Sequence, residues 1–151
     1  MRARDVMSSP VITVTPRTPV HAAAALLVSH GFTAAPVVDT ERNLVGIVTE
    51  ADLVRGRILP EGWVVAQRPE PTVADVMTPA PTAMRPEDDV ADVVELMVNG
   101  RIRTVPIVDD GELVGVVSRR DVVRCVARRE LTSQEVRRRR IGPAGHEGRD
   151  R

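Results

Sequence analysis

Two phrases carry the same side chains at the same spacing: "GIVTEADLVRG" at Gly46–Gly56 and "GVVSRRDVVRC" at Gly115–Cys125. In each, a Val-rich run ends on a hydroxyl residue, Thr49 or Ser118, and an aspartate follows three positions later, Asp52 or Asp121. That spacing suits a capping box, in which the hydroxyl accepts from the amide of the aspartate and the carboxylate reaches back. The same atoms suit a ligand. Free N–H groups at a helix start donate to phosphate, and a carboxylate, being an acceptor only, suits a pair of ribose hydroxyls. Gly46 and Gly115 would let a ligand come close to the strand. Spacing by itself leaves cap and binding site both open.

The surroundings of the two copies differ. Glu50 opens the first helix, where the macrodipole welcomes negative charge but a phosphate does not. Arg119 and Arg120 open the second, with the wrong sign for the dipole, and Arg101 and Arg103 lie on a nearby loop. Cap chemistry therefore accounts easily for Thr49-Glu50-Ala51-Asp52 and badly for Ser118-Arg119-Arg120-Asp121. An anion among the arginines would explain them; so would a solvated basic face, or pairing with Asp110 and Glu112.

Other chemistry is sparse. His21, His30 and His146 have no Cys, Asp or Glu at metal-ligand spacing, so no metal site is expected. Asp109-Asp110-Gly111-Glu112 is too short for an EF-hand loop and reads as a hairpin turn. Cys125 falls on an apolar helix face and reads as packing. There is no P-loop, no G-x-G-x-x-G, no G-x-S-x-G, and no nucleophile with a convincing base. The residues give no positive sign of an enzyme.

The elements that must position these residues come twice. "RDVMSSPVITVTPRTPV" (Arg4–Val20) is similar to "ADVMTPAPTAMRPEDDV" (Ala74–Val90), and "TAAPVVDTERNLVGIVTEADLVR" to "RTVPIVDDGELVGVVSRRDVVR". Each copy reads as a short extended run ("VITV", "PTAM"), a helix, a Val-rich hairpin and a second helix, hence β-α-β-β-α twice. Thr18-Pro19 and Asp88-Asp89 supply the first helix starts. Val20, Ala23, Ala24 and Leu27, like Val90, Val93, Val94 and Met97, follow the i, i+3, i+4, i+7 pattern of a buried helix face. Gly31 and Gly100 read as the stops, one position out of register with each other. The layout is then a first repeat at 1–59, a Pro-rich linker at 60–72 with Trp63 covering part of the core, a second repeat at 73–129, and a tail at 130–151. That tail holds a capping box (Thr132, Glu135), the basic run Arg137–Arg140 and an aperiodic end that reads as disordered.

Composition narrows the class. The chain has 151 residues, 42% hydrophobic and 28% charged, with net charge +0, so no global field draws it to nucleic acid or an acidic membrane. Aromatics at 1% leave the core to Val, Leu, Ile, Ala and Met and argue against modules that stack bases on aromatic platforms. A single cysteine fits a reducing compartment, and no run approaches a membrane span, so a cytoplasmic protein without a membrane partner is expected.

With the repeat, the D-V-M leader, the P-V-V-D strand and the recurring G-h-h-[T/S]-x-x-D phrase in place, the sequence resembles a tandem CBS-domain pair, or Bateman module, from Arg4 to Arg128. The resemblance implies an α/β fold of two repeats packed by pseudo-two-fold symmetry with clefts between them. It implies homodimers, no required cofactor, and regulatory binding of AMP, ADP, ATP or S-adenosylmethionine, signalled to a regulated protein by conformational change. Carried over by position, the first site comprises Ile12, His30, Phe32, Thr33, Thr49 and Asp52. The second, expected to take the phosphates, comprises Thr82, Gly100, Ile102, Arg103, Ser118, Arg119, Arg120 and Asp121. The alternatives are binding of nucleic acid or an acidic partner through the Arg-rich tail, and a purely structural dimerisation module.

Overall fold

Val-rich runs around a proline set the frame of each repeat. The computed structural model describes residues 1–9, 11–57 and 70–128. Trp63, most of the linker, the Thr132/Glu135 box, Arg137–Arg140, His146 and the rest of the tail lie outside these residues.

The chain forms two compact units. The first-repeat unit is Ile12–Pro81 with Gly111–Leu113; the second-repeat unit holds Met1–Val11, Thr82–Asp110 and the chain from Val114 on. The compact units thus differ from the repeats as laid out along the sequence. The leader that precedes the first repeat belongs to the second-repeat unit, and the leader that precedes the second repeat belongs to the first-repeat unit.

In the first-repeat unit, α2 (Val20–His30) precedes a hairpin of β1 (Ala34–Val38) and β2 (Leu44–Thr49), and α3 (Glu50–Arg57) follows directly. The hairpin is antiparallel, with Ala34 opposite Thr49. A short helical turn, α4 (Val73–Val76), and the two-residue strand β3 (Thr78–Pro79) complete the unit, β3 pairing with β2 at Gly46 and Ile47. Val14, Val20, Ala23, Leu27, Val37, Val48, Leu53 and Val73 form its core. A fully buried Val contributes about 1.5–3 kcal/mol relative to an exposed one, so an aliphatic core can hold such a unit without aromatics.

The second-repeat unit repeats the plan. It opens on α1 (Ala3–Val6), and α5 (Val90–Gly100), β4 (Thr104–Asp109), β5 (Glu112–Ser118) and α6 (Arg119–Ala127) follow. Ala3, Val93, Met97, Val105, Ile107 and Val117 form its main core, and Val90 packs with Cys125 beside it. The leader is held by backbone bonds, Ala3 N–H to Asp88 O at 2.7 Å and Ser8 N–H to Val116 O at 2.8 Å.

Four sequence expectations are corrected. The runs "VITV" and "PTAM" are not full strands: each touches the sheet at a single parallel bridge, Val14 to Val37 and Met84 to Ile107. Proline is the reason. Val14 N–H donates to Pro36 O, and Met84 N–H donates to Pro106 O. The next donor along each edge would be the missing N–H of Pro36 or Pro106, so the ladder stops there. Second, the expected helix starts hold at the second residue of each pair and not at the first: Thr18 and Asp88 accept from the amides of Thr15 and Arg85 in the preceding turn. Pro19 is the N-cap of α2 without a side-chain bond, and Asp89 caps α5 by accepting from Ala91 N–H.

Third, Gly100 is not the stop of its helix. It is the last residue of α5, and Arg101 takes the left-handed cap at φ 54°, as Gly31 does for α2 at φ 67°. The two caps are in register, since 101 − 31 = 70, the offset of the D-V-M leaders at Asp5 and Asp75. Fourth, Gly46 and Gly115 do not open the strands to a ligand. A Cβ on Gly46 would lie 2.6 Å from Met77 Sδ, and one on Gly115 would lie 2.5 Å from Met7 Sδ. The missing side chains make room for the methionines of the D-V-M leaders.

Candidate ligand-binding sites

The T/S-x-x-D phrases sit where a strand runs straight into a helix, at β2–α3 and β5–α6. In the first-repeat unit Thr49 N–H donates to Asp52 Oδ2 at 2.9 Å, and Asp52 N–H donates to Thr49 Oγ1 at 3.2 Å. In the second-repeat unit Ser118 N–H donates to Asp121 Oδ2 at 2.8 Å, and Asp121 N–H donates to Ser118 Oγ at 3.3 Å. Both boxes are complete. The expectation that cap chemistry fits Ser118–Asp121 badly is therefore wrong for Ser118 and Asp121 themselves. What the cap leaves unexplained is the arginines.

Asp52 and Asp121 are each 4% exposed, buried for charged residues. Each is covered by an arginine one helical turn on: Arg55 pairs with Asp52 Oδ1, and Arg124 Nη1 lies 3.2 Å from Asp121 Oδ1. The loop entering the hairpin docks on the same junction. Thr33 O accepts from Glu50 N–H at 3.0 Å, and Arg103 O accepts from Arg119 N–H at 2.9 Å. This backbone bond brings Thr33 to Thr49 and Asp52, and Arg103 to Ser118, Arg119 and Asp121.

Around the first site His30 and Phe32 stack with ring centroids 5.5 Å apart and planes inclined by 25°. His30 Nδ1 is 2.9 Å from Leu26 O, a carbonyl that can only accept, so this nitrogen is the donor of the pair. Phe32 is 43% exposed, an open apolar surface at the end of α2. Ile12 stands two residues before the Val14 bridge, half-buried, and Thr82 stands exposed two residues before the Met84 bridge. No hydrogen bond among the described residues ties Ile12 or Thr82 to the other members of its site.

Around the second site Ile102 is half-buried, and a Cβ on Gly100 would meet its Cδ1 at 3.2 Å. Arg101, Arg103, Arg119 and Arg120 are exposed, and among the described residues none of them forms an ion pair. The expected alternative partners, Asp110 and Glu112, do not engage them. Sequence reasoning missed Ser8: its hydroxyl donates to Asp121 Oδ1 at 3.1 Å, across 113 residues. No local signal marks such a residue. His21, read as a helix-surface residue, is exposed and pairs with Glu70 at 2.8 Å. Among the described residues no group of His, Cys, Asp and Glu could hold a metal ion, and no helix is long and apolar enough to cross a membrane.

Known proteins share this plan. CBS domain-containing protein CBSX1 of Arabidopsis thaliana, a chloroplastic protein, is 33% identical over 134 residues, covering 74% of this chain and 57% of its own length. The chain thus spans little more than half of that relative. YhcV of Bacillus subtilis is 32% identical over 119 residues, 79% of this chain and 81% of its own. The match to inosine-5'-monophosphate dehydrogenase of Korarchaeum cryptofilum covers 95% of this chain but 28% of that enzyme. Among solved structures, CBSX2 in complex with AMP superposes with a TM-score of 0.75 at 31% identity, over 86% of this chain and 98% of that one. The CBS domain pair of MJ0100 with 5'-methylthioadenosine and S-adenosyl-L-methionine gives 0.73 at 28% identity, over 85% and 98%. Residues 3–58 and 73–128 each match the CBS domain, and the chain belongs to the CBS domain family as a tandem pair.

Proposed function

We propose that the protein is a regulatory module that binds an adenosine compound at the Asp52 and Asp121 sites and signals occupancy to a partner protein by a change of conformation. The ligand class is AMP, ADP, ATP or S-adenosylmethionine. The observation that carries the reading is the set of arginines at the end of α5 and the start of α6. Arg101, Arg103, Arg119 and Arg120 gather there without a carboxylate partner among the described residues. Arg101 also holds a left-handed conformation that its counterpart fills with glycine, at a cost of about 1 kcal/mol. At the start of α6 the positive charge of Arg119 and Arg120 has the wrong sign for the helix dipole, and together with Arg101 and Arg103 it suits the phosphates of a bound nucleotide.

The first site has Glu50 in the corresponding place and an exposed Phe32 beside His30. It suits the uncharged part of an adenosine compound. A ligand that prefers one conformation shifts the population toward it, which is the signal. The module works as a homodimer in this reading. Val28 and Val98 on α2 and α5, 82% and 64% exposed, and Val54 and Val123 on α3 and α6, 60% and 63% exposed, are apolar side chains in each unit that a second copy would cover.

Calorimetry with AMP, ADP, ATP and S-adenosylmethionine tests the proposal. The double variant Arg103→Ala/Arg120→Ala should weaken ADP and ATP binding by about tenfold or more, since charge-assisted bonds to phosphate are lost. Glu50→Ala should change it by less than about twofold. Equal effects would overturn the division of labour between the sites. Binding of no adenosine compound by an intact dimer would favour a structural module. Salt-steep binding of nucleic acid, lost on removal of the residues after Glu130, would favour the Arg-rich tail as the working part.

A further inference from the structure

The two aspartates differ in how much of their hydrogen-bonding capacity is already taken. A carboxylate offers about four acceptor directions. At Asp121 all are used: Oδ2 accepts from Ser118 N–H at 2.8 Å and Ser118 Oγ at 3.0 Å, and Oδ1 accepts from Ser8 Oγ at 3.1 Å and Arg124 Nη1 at 3.2 Å. At Asp52 two are used among the described residues: Oδ2 accepts from Thr49 N–H, and Oδ1 from Arg55. The hydroxyl of Ser118 is spent on Asp121, whereas among the described residues Thr49 Oγ1 receives the Asp52 amide and donates to no acceptor. The donor that sets the two apart is Ser8: its counterpart Thr78, which faces Ile47 as Ser8 faces Val116, makes no hydrogen bond to Asp52 among the described residues. Ser8 is pinned by its own backbone, whose N–H and O pair with Val116 at 2.8 and 3.2 Å.

We infer that Ser8 is a specificity-determining residue of the second site: its hydroxyl occupies an acceptor position on Asp121 that a ribose hydroxyl needs, so this site reads phosphates and not the ribose diol. The diol is read at the first site, where, among the described residues, Asp52 keeps two acceptor directions and the Thr49 hydroxyl proton has no acceptor. Diol recognition and phosphate recognition are thereby separated onto the two repeats. The inference rests on the proposal that the sites take adenosine nucleotides.

The test compares ADP with 2',3'-dideoxy-ADP by calorimetry, in an Asp52→Asn background that removes the carboxylate of the first site. With Ser8 present the two nucleotides should bind within about twofold of each other; with Ser8→Ala, ADP should gain a preference of about tenfold over the dideoxy analogue as an acceptor direction on Asp121 opens. The Ser8→Ala chain keeps the backbone bonds to Val116 and folds. Should Asp52→Asn fail to fold, the amide resonances of Arg119–Asp121 report the same ratio in chains with Asp52 intact. A tenfold preference for ADP that is already present with Ser8 and unchanged by Ser8→Ala would overturn the inference. Absence of all nucleotide binding would overturn the sensing proposal, and this inference with it.

Discussion

Met7 lies over Gly115, its Sδ 2.5 Å from where a Cβ would stand, with Ser8 O 3.1 Å away. The leader and the strand that ends at the second site therefore touch through an absent side chain. Met77 and Gly46 do the same in the other unit, at 2.6 Å, with Thr78 O at 3.0 Å.

Gly115→Ala should lower stability by about 1–3 kcal/mol, because the thioether can shift but the Ser8 carbonyl is held by its ladder bond to Val116. Gly46→Ala should cost a similar amount. Urea unfolding measures both. A cost that Met7→Ala does not reduce in the Gly115→Ala background would show that the contact is not the cause.

Arg101→Gly should act in opposite directions on folding and binding. Replacing an arginine at φ 54° by glycine relieves about 1 kcal/mol of backbone strain. It also removes one of the cations assigned to phosphate, so the melting temperature rises while ADP affinity falls. A variant that is more stable and binds equally well would remove Arg101 from the site.

The two caps should not be equally costly to lose. Ser118 Oγ accepts from Asp121 N–H and donates to Asp121 Oδ2, whereas Thr49 Oγ1, among the described residues, accepts from Asp52 N–H and donates to nothing. Ser118→Ala should therefore destabilise by about 1–2 kcal/mol and Thr49→Ala by about 0.5–1 kcal/mol. Denaturant midpoints of the two variants in the absence of ligand decide this; the reverse order would contradict the hydrogen-bond pattern.

What could be read from the sequence was local. A capping box joins residues three apart, so Thr49 with Asp52 and Ser118 with Asp121 follow from spacing, as do the buried faces of α2 and α5 from their helical period. The repeat then proposes two sites, since what one copy does the other can do. The tertiary structure decided everything that depends on distant partners. It assigned each leader to the unit of the other repeat, filled Gly46 and Gly115 with methionine instead of ligand, and set Ser8 against Asp121 across 113 residues. It also moved the helix stop from Gly100 to Arg101, which takes the left-handed conformation at φ 54° although glycine stands beside it. Periodicity and caps are written in neighbouring residues. Which carboxylate still has an acceptor direction to offer depends on which donors folding brings beside it.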